Sequence, residues 1–212
     1  AIMSEQPTSK EAFQRLVEGN ERFIEGDSNF SRQDTLDRRE QLASGQAPFA
    51  VILGCSDSSV PAELVFDQGL GDLFVIRIAG NVIAPSQIGS IEFAVERFGT
   101  PLVIVLGHTS CGAISATVEA LMNPTVQTQC LNIGSIVKRI APSVQELLNS
   151  GANLNKDQLI SSACKANIRS SVNQLQHSSE FIEEMVEAGK LAIVGAEYDL
   201  ETGRVNFLNT VE

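Results

Sequence analysis

Several residue types are scarce in this 212-residue sequence, which has no tryptophan, one tyrosine, two histidines and four cysteines. Four scattered cysteines are too few for a disulfide scaffold in a chain of this length, so we expect free thiols in a reducing compartment. No apolar run approaches the roughly 20 residues that a membrane helix needs. Residues 1–10 also lack the pattern of a signal peptide. We therefore expect no membrane partner and a cytoplasmic location, or a periplasmic one if a leader has been removed.

Basic residues are scarce as well, because 15 lysines and arginines stand against 26 acidic residues and give a net charge of −11. Nucleic acids and anionic membrane surfaces attract proteins through clustered lysine and arginine side chains. A chain with this charge is therefore not expected to bind nucleic acid. The 43% apolar content is enough for one hydrophobic core, which predicts a single domain over residues 1–212.

Strand-like and helix-like patterns alternate along most of the chain. Short runs rich in valine and isoleucine, typical of buried strands, occupy residues 49–54, 73–78, 101–107, 191–195 and 204–208. Helical spacing occupies residues 61–66, 86–98, 113–122, 131–148 and 156–188, with a kink or break expected at Pro142. This alternation predicts an α/β fold in which helices flank a mainly parallel sheet, with four parallel strands plus a fifth antiparallel edge strand.

The N-terminal region has a pattern of its own. Apolar residues such as Phe13 and Leu16 recur at helical spacing within residues 9–25. They predict an amphipathic helix whose apolar side needs a surface to cover it. We therefore divide the domain into an N-terminal helical arm, at about residues 9–45, and an α/β core over residues 46–212.

Three residues that bind zinc well stand at the ends of two predicted strands. Cys55 follows the first strand, and His108 and Cys111 follow the third. Ligands of open α/β sheets bind beyond the carboxyl ends of the strands, so these side chains meet if the two strands are neighbours. Three protein ligands would leave a fourth position open, as in catalytic zinc sites. A lone buried cysteine or histidine is more often structural, so the spacing alone leaves both readings open.

Two segments resemble the signature motifs of the β-class carbonic anhydrases, which usually read CSDSRVP and GHxxCG. They are Cys-Ser-Asp-Ser-Ser-Val-Pro-Ala-Glu at 55–63 and Gly-His-Thr-Ser-Cys-Gly at 107–112. The likeness extends through 66–81 and 89–94 and covers roughly residues 10–208. It implies the β-carbonic anhydrase fold and one Zn²⁺ per subunit, bound by the two cysteines and the histidine. It also implies a homodimer or a dimer of dimers, in which the helical arm embraces a second subunit.

The reaction implied by this resemblance is the reversible hydration of carbon dioxide to bicarbonate and a proton by zinc-bound hydroxide. Asp57 would accept a hydrogen bond from that hydroxide or swing in as a fourth metal ligand. The backbone N–H of Gly112 would lie near the substrate. Val60, Phe66 and Gly80 would line the substrate pocket. Because two thiolates donate more charge to the metal than imidazoles do, activity is expected to rise above neutral pH.

The sequence departs from the family motif at Ser59, where the family has an arginine. That arginine grips the carboxylate matching Asp57 through paired, charge-assisted hydrogen bonds. A serine hydroxyl offers one neutral bond, so Asp57 should be freer to bind zinc and the enzyme is expected to be weak or conditionally active. A hydrolase of carbonyl sulfide or carbon disulfide on the same scaffold and a noncatalytic zinc-binding homologue are the alternatives.

A second departure concerns a noncatalytic bicarbonate pocket that some family members build from a tryptophan, an arginine and a tyrosine. Ile52 stands where that tryptophan would be, so this bicarbonate switch is expected to be absent. Arg77 matches the arginine, and we expect it to form an ion pair with Glu63.

The remaining thiols and the second histidine give weaker signals. Cys130 and Cys164 fall in helical stretches and are interpreted as core or partly buried thiols. His177 lies in a polar part of the longest predicted helix and is interpreted as a surface residue.

Overall fold

Five strands form one mixed sheet in the computed structural model, which describes residues 5–29, 32–125 and 130–212. The strands are β1 (Ala50–Gly54), β2 (Leu73–Arg77), β3 (Leu102–His108), β4 (Ala192–Tyr198) and β5 (Val205–Phe207). Their order across the sheet is β2-β1-β3-β4-β5. The first four are parallel and β5 pairs antiparallel with β4, as the sequence predicts.

Helices cover both faces of the sheet, so its central strands are buried throughout. Every residue of β1 and β3 is buried. Side chains alternate between the two faces, because Ala50 and Ile52 belong to one apolar cluster and Val51 and Leu53 to another. Strands β1 and β3 thus have no polar face, which is typical of parallel strands that lie between two layers of helices.

Eight α-helices surround the sheet within the described ranges, and none has the length and apolar character of a membrane span. They are α1 (Ser9–Glu25), α2 (Arg32–Leu42), α3 (Ala62–Val65), α4 (Pro85–Phe98), α5 (Gly112–Met122), α6 (Ile133–Asn149), α7 (Lys156–His177) and α8 (Glu180–Glu187).

The structure differs from the sequence predictions at two places in the helices. No break occurs at Pro142, because α6 runs through it and buries Ile140 and Val144 on either side, so packing of the apolar face outweighs the lost hydrogen bond; the alternative of a kink stays a prediction. The single helix predicted over 156–188 is two helices. Ser179 begins the second, since its Oγ accepts a hydrogen bond from the Ile182 amide at 3.3 Å.

The N-terminal helix α1 packs on the core of its own chain. It begins at Thr8, whose side chain accepts from the Glu11 amide, and ends at Gly26 with φ 72°. Leu16 is fully buried in the cluster that includes Phe66. The apolar side of the predicted arm is therefore covered within the chain, and its contact with a second subunit stays a prediction.

Helix α7 lies very close to the sheet because two strands carry glycine beneath it. A Cβ atom at Gly107 would lie 2.5 Å from Ile168 Cδ1, and one at Gly195 would lie 2.9 Å from Ile168 Cγ2. The close contacts of Ile168 with these two glycines fix α7 behind the carboxyl end of β3.

Strand β4 extends three residues beyond its predicted end at 195, and Tyr198 pairs with His108.

Candidate metal centre and active site

Cys55, His108 and Cys111 converge at the carboxyl edge of the sheet. Cys55 directly follows β1, His108 ends the neighbouring β3, and Cys111 caps the N-terminus of α5. One ligand atom from each lies within 4.8 Å of the others, and all three residues are buried. The meeting of the three side chains that the sequence predicts is confirmed.

A tight turn brings Cys111 back toward His108. Ser110 adopts φ 56°, a left-handed conformation that is uncommon for a residue with a side chain. Two hydrogen bonds fix the preceding residue, since the Thr109 amide donates to the Tyr198 carbonyl at 2.9 Å and the Thr109 hydroxyl accepts from the Leu200 amide at 3.0 Å. The loop that carries the second thiol is thus anchored to the end of β4.

His108 presents one ring nitrogen to this cluster. Its Nδ1 lies 2.7 Å from the Thr109 carbonyl oxygen, an acceptor, so Nδ1 carries the proton. Its Nε2 is buried without a hydrogen-bond partner in the described part of the chain. A buried, unpaired lone pair beside two thiols fits a metal ion, and sulfur with imidazole nitrogen is a donor set that zinc prefers.

The two thiols share their protons unequally. A hydrogen bond from the Cys111 thiol lowers the pKa of Cys55 to about 4, even though burial opposes the thiolate. The same bond, together with burial, raises the pKa of Cys111, while the amides of Ile114 and Ala113 in the first turn of α5 work in the opposite direction. A divalent cation that displaced the shared proton would be held by two thiolates.

Asp57 lies beside the cluster and Ser59 holds its carboxylate. Its Oδ2 is 3.9 Å from His108 Nε2, while its Oδ1 accepts hydrogen bonds from the Ser59 amide at 2.9 Å and from the Ser59 hydroxyl. The hydroxyl bond is the main reason why the pKa of Asp57 is lowered. Ser59 therefore provides two bonds rather than the single one that the sequence suggested, because its backbone amide takes part.

The predicted ion pair between Arg77 and Glu63 is wrong. Arg77 Nε donates to the Cys55 carbonyl at 2.9 Å and its terminal nitrogen donates to the Asp57 carbonyl. No ion pair joins Arg77 to Glu63, both of which lie in the described ranges. Arg77 instead joins the end of β2 to the loop after β1, which contains Cys55 and Asp57. Because its acceptors are backbone carbonyls, no residue type in the sequence could have indicated these bonds.

The other predicted site residues lie around the cluster at different depths. Gly80 is buried and donates its amide to Cys55 Sγ at 3.4 Å. Gly112 is the first residue of α5 and directly follows a ligand. Val60 and Phe66 are buried in the apolar core on the α1 side of the sheet. Two surface cavities, of about 680 and 290 Å³, are lined by residues away from the cluster.

The remaining cysteines and histidine differ in exposure. Cys164 is buried, as expected, and burial raises its pKa to about 11. Cys130 is exposed, so its assignment as a core or partly buried thiol is wrong. His177 ends α7 as an exposed residue, and Ile52 is fully buried in β1.

The chain is similar to known carbonic anhydrases. A family model described as carbonic anhydrase matches residues 50–205. Carbonic anhydrase 2 of Mycobacterium tuberculosis is 44% identical over 193 residues, which cover 91% of this chain and 89% of that protein. The carbonic anhydrase of Mycolicibacterium smegmatis is 43% identical over 194 residues, which cover 92% and 90%.

Solved structures agree as well. The β-carbonic anhydrase CcaA superposes with a TM-score of 0.76 at 29% identity and covers 92% of this chain and 94% of that chain. A structure from work on two tetrameric β-carbonic anhydrases of Sordaria macrospora gives a TM-score of 0.71 at 20% identity, covering 94% and 98%, and shows the shared fold alone. This chain belongs to the β-class carbonic anhydrases, a family of enzymes.

Proposed function

We propose that this chain catalyses the reversible hydration of carbon dioxide to bicarbonate and a proton, with one zinc ion held by Cys55, His108 and Cys111. The buried group of two thiols and an unpaired imidazole nitrogen carries this proposal. When bound, zinc acts as a Lewis acid that brings the pKa of water toward neutrality and so supplies a nucleophile.

In this proposal Asp57 orients the attacking water. Its Oδ1 is occupied by two hydrogen bonds from Ser59, whereas its Oδ2 faces His108 Nε2 and remains available as an acceptor. A carboxylate whose pKa is lowered stays ionised at neutral pH and can accept a hydrogen bond. Removal of the Asp57 carboxylate should therefore slow turnover more than it weakens zinc binding.

Gly112, Val60, Phe66 and Gly80 are proposed to form the substrate site. The first N–H groups of an α-helix have no partner within the helix, so the Gly112 amide is proposed to donate to an oxygen of the substrate. Val60 and Phe66 are proposed to supply apolar surface that favours an uncharged gas over water. Gly80 would contribute through its amide, which already donates to Cys55.

The noncatalytic alternative receives less support than the sequence alone gives it. A serine in place of arginine predicts a loose Asp57, whereas two hydrogen bonds hold one oxygen of this carboxylate. The metal-loaded chain is therefore proposed to be catalytic, with an activity that depends on the bonds from Ser59.

Stopped-flow carbon dioxide hydration tests the proposal. The zinc-loaded chain, the chelator-stripped chain and the stripped chain with zinc restored are compared across pH 6 to 9. We expect activity only with zinc, rising above neutral pH. Stoichiometric zinc without hydration would sink the proposal and favour a noncatalytic protein. Sulfide release from carbonyl sulfide or carbon disulfide without carbon dioxide hydration would point to the hydrolase instead.

We also propose that copies of the chain associate. Within the described part of the chain, strand β2 lies at an edge of the sheet and has no neighbouring strand on one side. Beside it, Phe93 is 47% exposed and lies 6.2 Å from Phe74 and 5.8 Å from Phe98, measured between ring centroids. Light scattering after gel filtration should give a dimer or a dimer of dimers, and Phe93→Ser should weaken it. A monomer at micromolar concentration would contradict the proposal.

A further inference from the structure

Helix α7 carries two buried polar side chains toward the metal centre. Asn167 and Ser171 are each 3% exposed and lie one turn apart. Asn167 Nδ2 donates to the Gly80 carbonyl at 2.7 Å, and Ser171 Oγ donates to the Asn81 carbonyl at 3.1 Å. Burial of polar groups is unfavourable unless they are hydrogen-bonded. Both side chains meet this requirement by bonding to carbonyl groups of the short 3₁₀ turn Ala79–Asn81.

That turn contains the amide that contacts a ligand. Gly80 N–H donates to Cys55 Sγ at 3.4 Å inside the protein. Gly80 adopts φ 70°, and a Cβ atom there would lie 2.8 Å from Ile140 Cδ1. Only glycine suits this position, but glycine also has the greatest backbone freedom of any residue. The direction of its N–H therefore depends on contacts that fix the turn from outside.

Asn167 supplies such a contact at the same residue. Its bond to the Gly80 carbonyl restricts ψ of Gly80, and the bond from the Asn81 amide to the Ile78 carbonyl, 2.9 Å long, closes the turn. Ser171 acts one carbonyl further along, on Asn81. Of the two side chains, Asn167 is the one attached to the residue whose amide reaches the thiolate.

We propose that Asn167 is a positioning residue of the metal centre, which holds Gly80 so that its amide donates to the Cys55 thiolate. This inference rests on the proposed zinc site. An N–H donor withdraws electron density from a thiolate and orients it, and partners of this outer kind tune metal affinity. The family motifs at 55–63 and 107–112 do not contain this residue.

The test compares cobalt-substituted protein as the parent chain and as the Asn167→Ala, Asn167→Leu and Ser171→Ala variants. Cobalt replaces zinc in the 212-residue chain, and the thiolate-to-cobalt charge-transfer band and competition with a chelator are measured. Loss of the N–H donor makes the thiolate richer in electrons, so the Asn167 variants should show a band at longer wavelength. Their metal affinity should fall about 10- to 100-fold, because the thiolate is no longer held in the orientation that binds the metal.

The variants separate positioning from general loosening of the fold. Leucine fills the volume of asparagine, so Asn167→Leu carries the test if the alanine variant does not fold. Ser171→Ala loses a similar buried bond on the same helix and should keep the parent band. Asn167 variants with the parent band and affinity would overturn the inference, as would equal shifts in the Ser171 variant. A parent chain that binds no metal would instead refute the proposed function.

Discussion

The hydroxyl of Ser59 offers a direct way to test how Asp57 is held. In the Ser59→Ala variant, the hydroxyl bond to Asp57 Oδ1 is lost while the 2.9 Å bond from the backbone amide remains. Asp57 should then sample orientations in which Oδ2 no longer serves the reaction. We expect a lower kcat/KM for carbon dioxide hydration with zinc content unchanged.

The magnitude follows from the kind of bond that is removed. A hydrogen bond to a charged group contributes about 1.5 to 3 kcal/mol. The Asp57 side chain is 31% exposed, so water replaces part of the lost bond and the lower end of this range applies. A loss of about 1.4 kcal/mol from the transition state corresponds to about a tenfold slower reaction.

Stopped-flow hydration at saturating zinc measures this change. The matched control is Ser58→Ala, because Ser58 is an exposed serine next to Ser59 in the same loop. The control should retain the parent rate. Equal rates for the parent and the Ser59→Ala variant would refute the reasoning, since the hydroxyl would then have no part in positioning Asp57.

The substitution Ser59→Arg tests the sequence-based hypothesis of a weak enzyme. A guanidinium group can hold a carboxylate through two parallel charge-assisted bonds. We expect faster hydration than in the parent. An unchanged rate would mean that the amide and hydroxyl of Ser59 already hold Asp57 as well as arginine would.

Three further predictions concern stability. Burial raises the pKa of Asp67, but hydrogen bonds from Arg22 at 2.6 Å, the Asn29 amide and the Ser28 hydroxyl lower it more. The ionised Asp67 therefore stabilises the fold at a pH above its unfolded pKa. This stabilisation is lost as the pH falls through the folded pKa. Asp67→Asn should cost about 2 kcal/mol in urea unfolding at pH 7 and progressively less as the pH falls below 3.8 and then through the lowered pKa of Asp67, and a constant difference would contradict this. Gly107→Ala should lower the free energy of unfolding by about 1 to 3 kcal/mol, because the added methyl group would collide with Ile168. In a chain that already carries Ile168→Ala, the same substitution should cost less. An unchanged stability of Gly107→Ala would contradict this packing. Removal of the metal by a chelator should lower the melting temperature of the parent chain, because a metal that binds only the folded state stabilises that state. The Cys111→Ser variant should show no such change. Equal decreases in the melting temperatures of the two proteins would count against the metal site.

The sequence predicts well which three side chains meet at the carboxyl edge of the sheet. Runs rich in valine and isoleucine that alternate with helices predict parallel strands, and residues that follow such strands lie at the same edge of the sheet. Cys55 and His108 meet because β1 and β3 are neighbours, which the sequence alone leaves as a condition. Cys111 reaches the cluster through the left-handed turn at Ser110, a backbone conformation that the sequence analysis does not predict.

The side chains that hold the backbone around this cluster are harder to predict, because backbone atoms are their partners. Arg77 bonds to the carbonyls of Cys55 and Asp57, whereas the family resemblance suggested an ion pair with Glu63. Asn167 and Ser171 look like ordinary polar positions of a helix until the turn beneath them is known. A side chain that binds a carbonyl leaves no complementary residue type in the sequence, so pattern analysis does not find it.

The proposed function depends on the coordination of zinc by Cys55, His108 and Cys111. X-ray absorption at the zinc edge of the stoichiometrically loaded chain measures it directly. The account predicts two sulfur atoms at about 2.3 Å and one imidazole nitrogen at about 2.0 to 2.1 Å, with one sulfur lost in Cys55→Ser. Zinc surrounded only by nitrogen and oxygen, or a purified chain that retains no zinc, would contradict it.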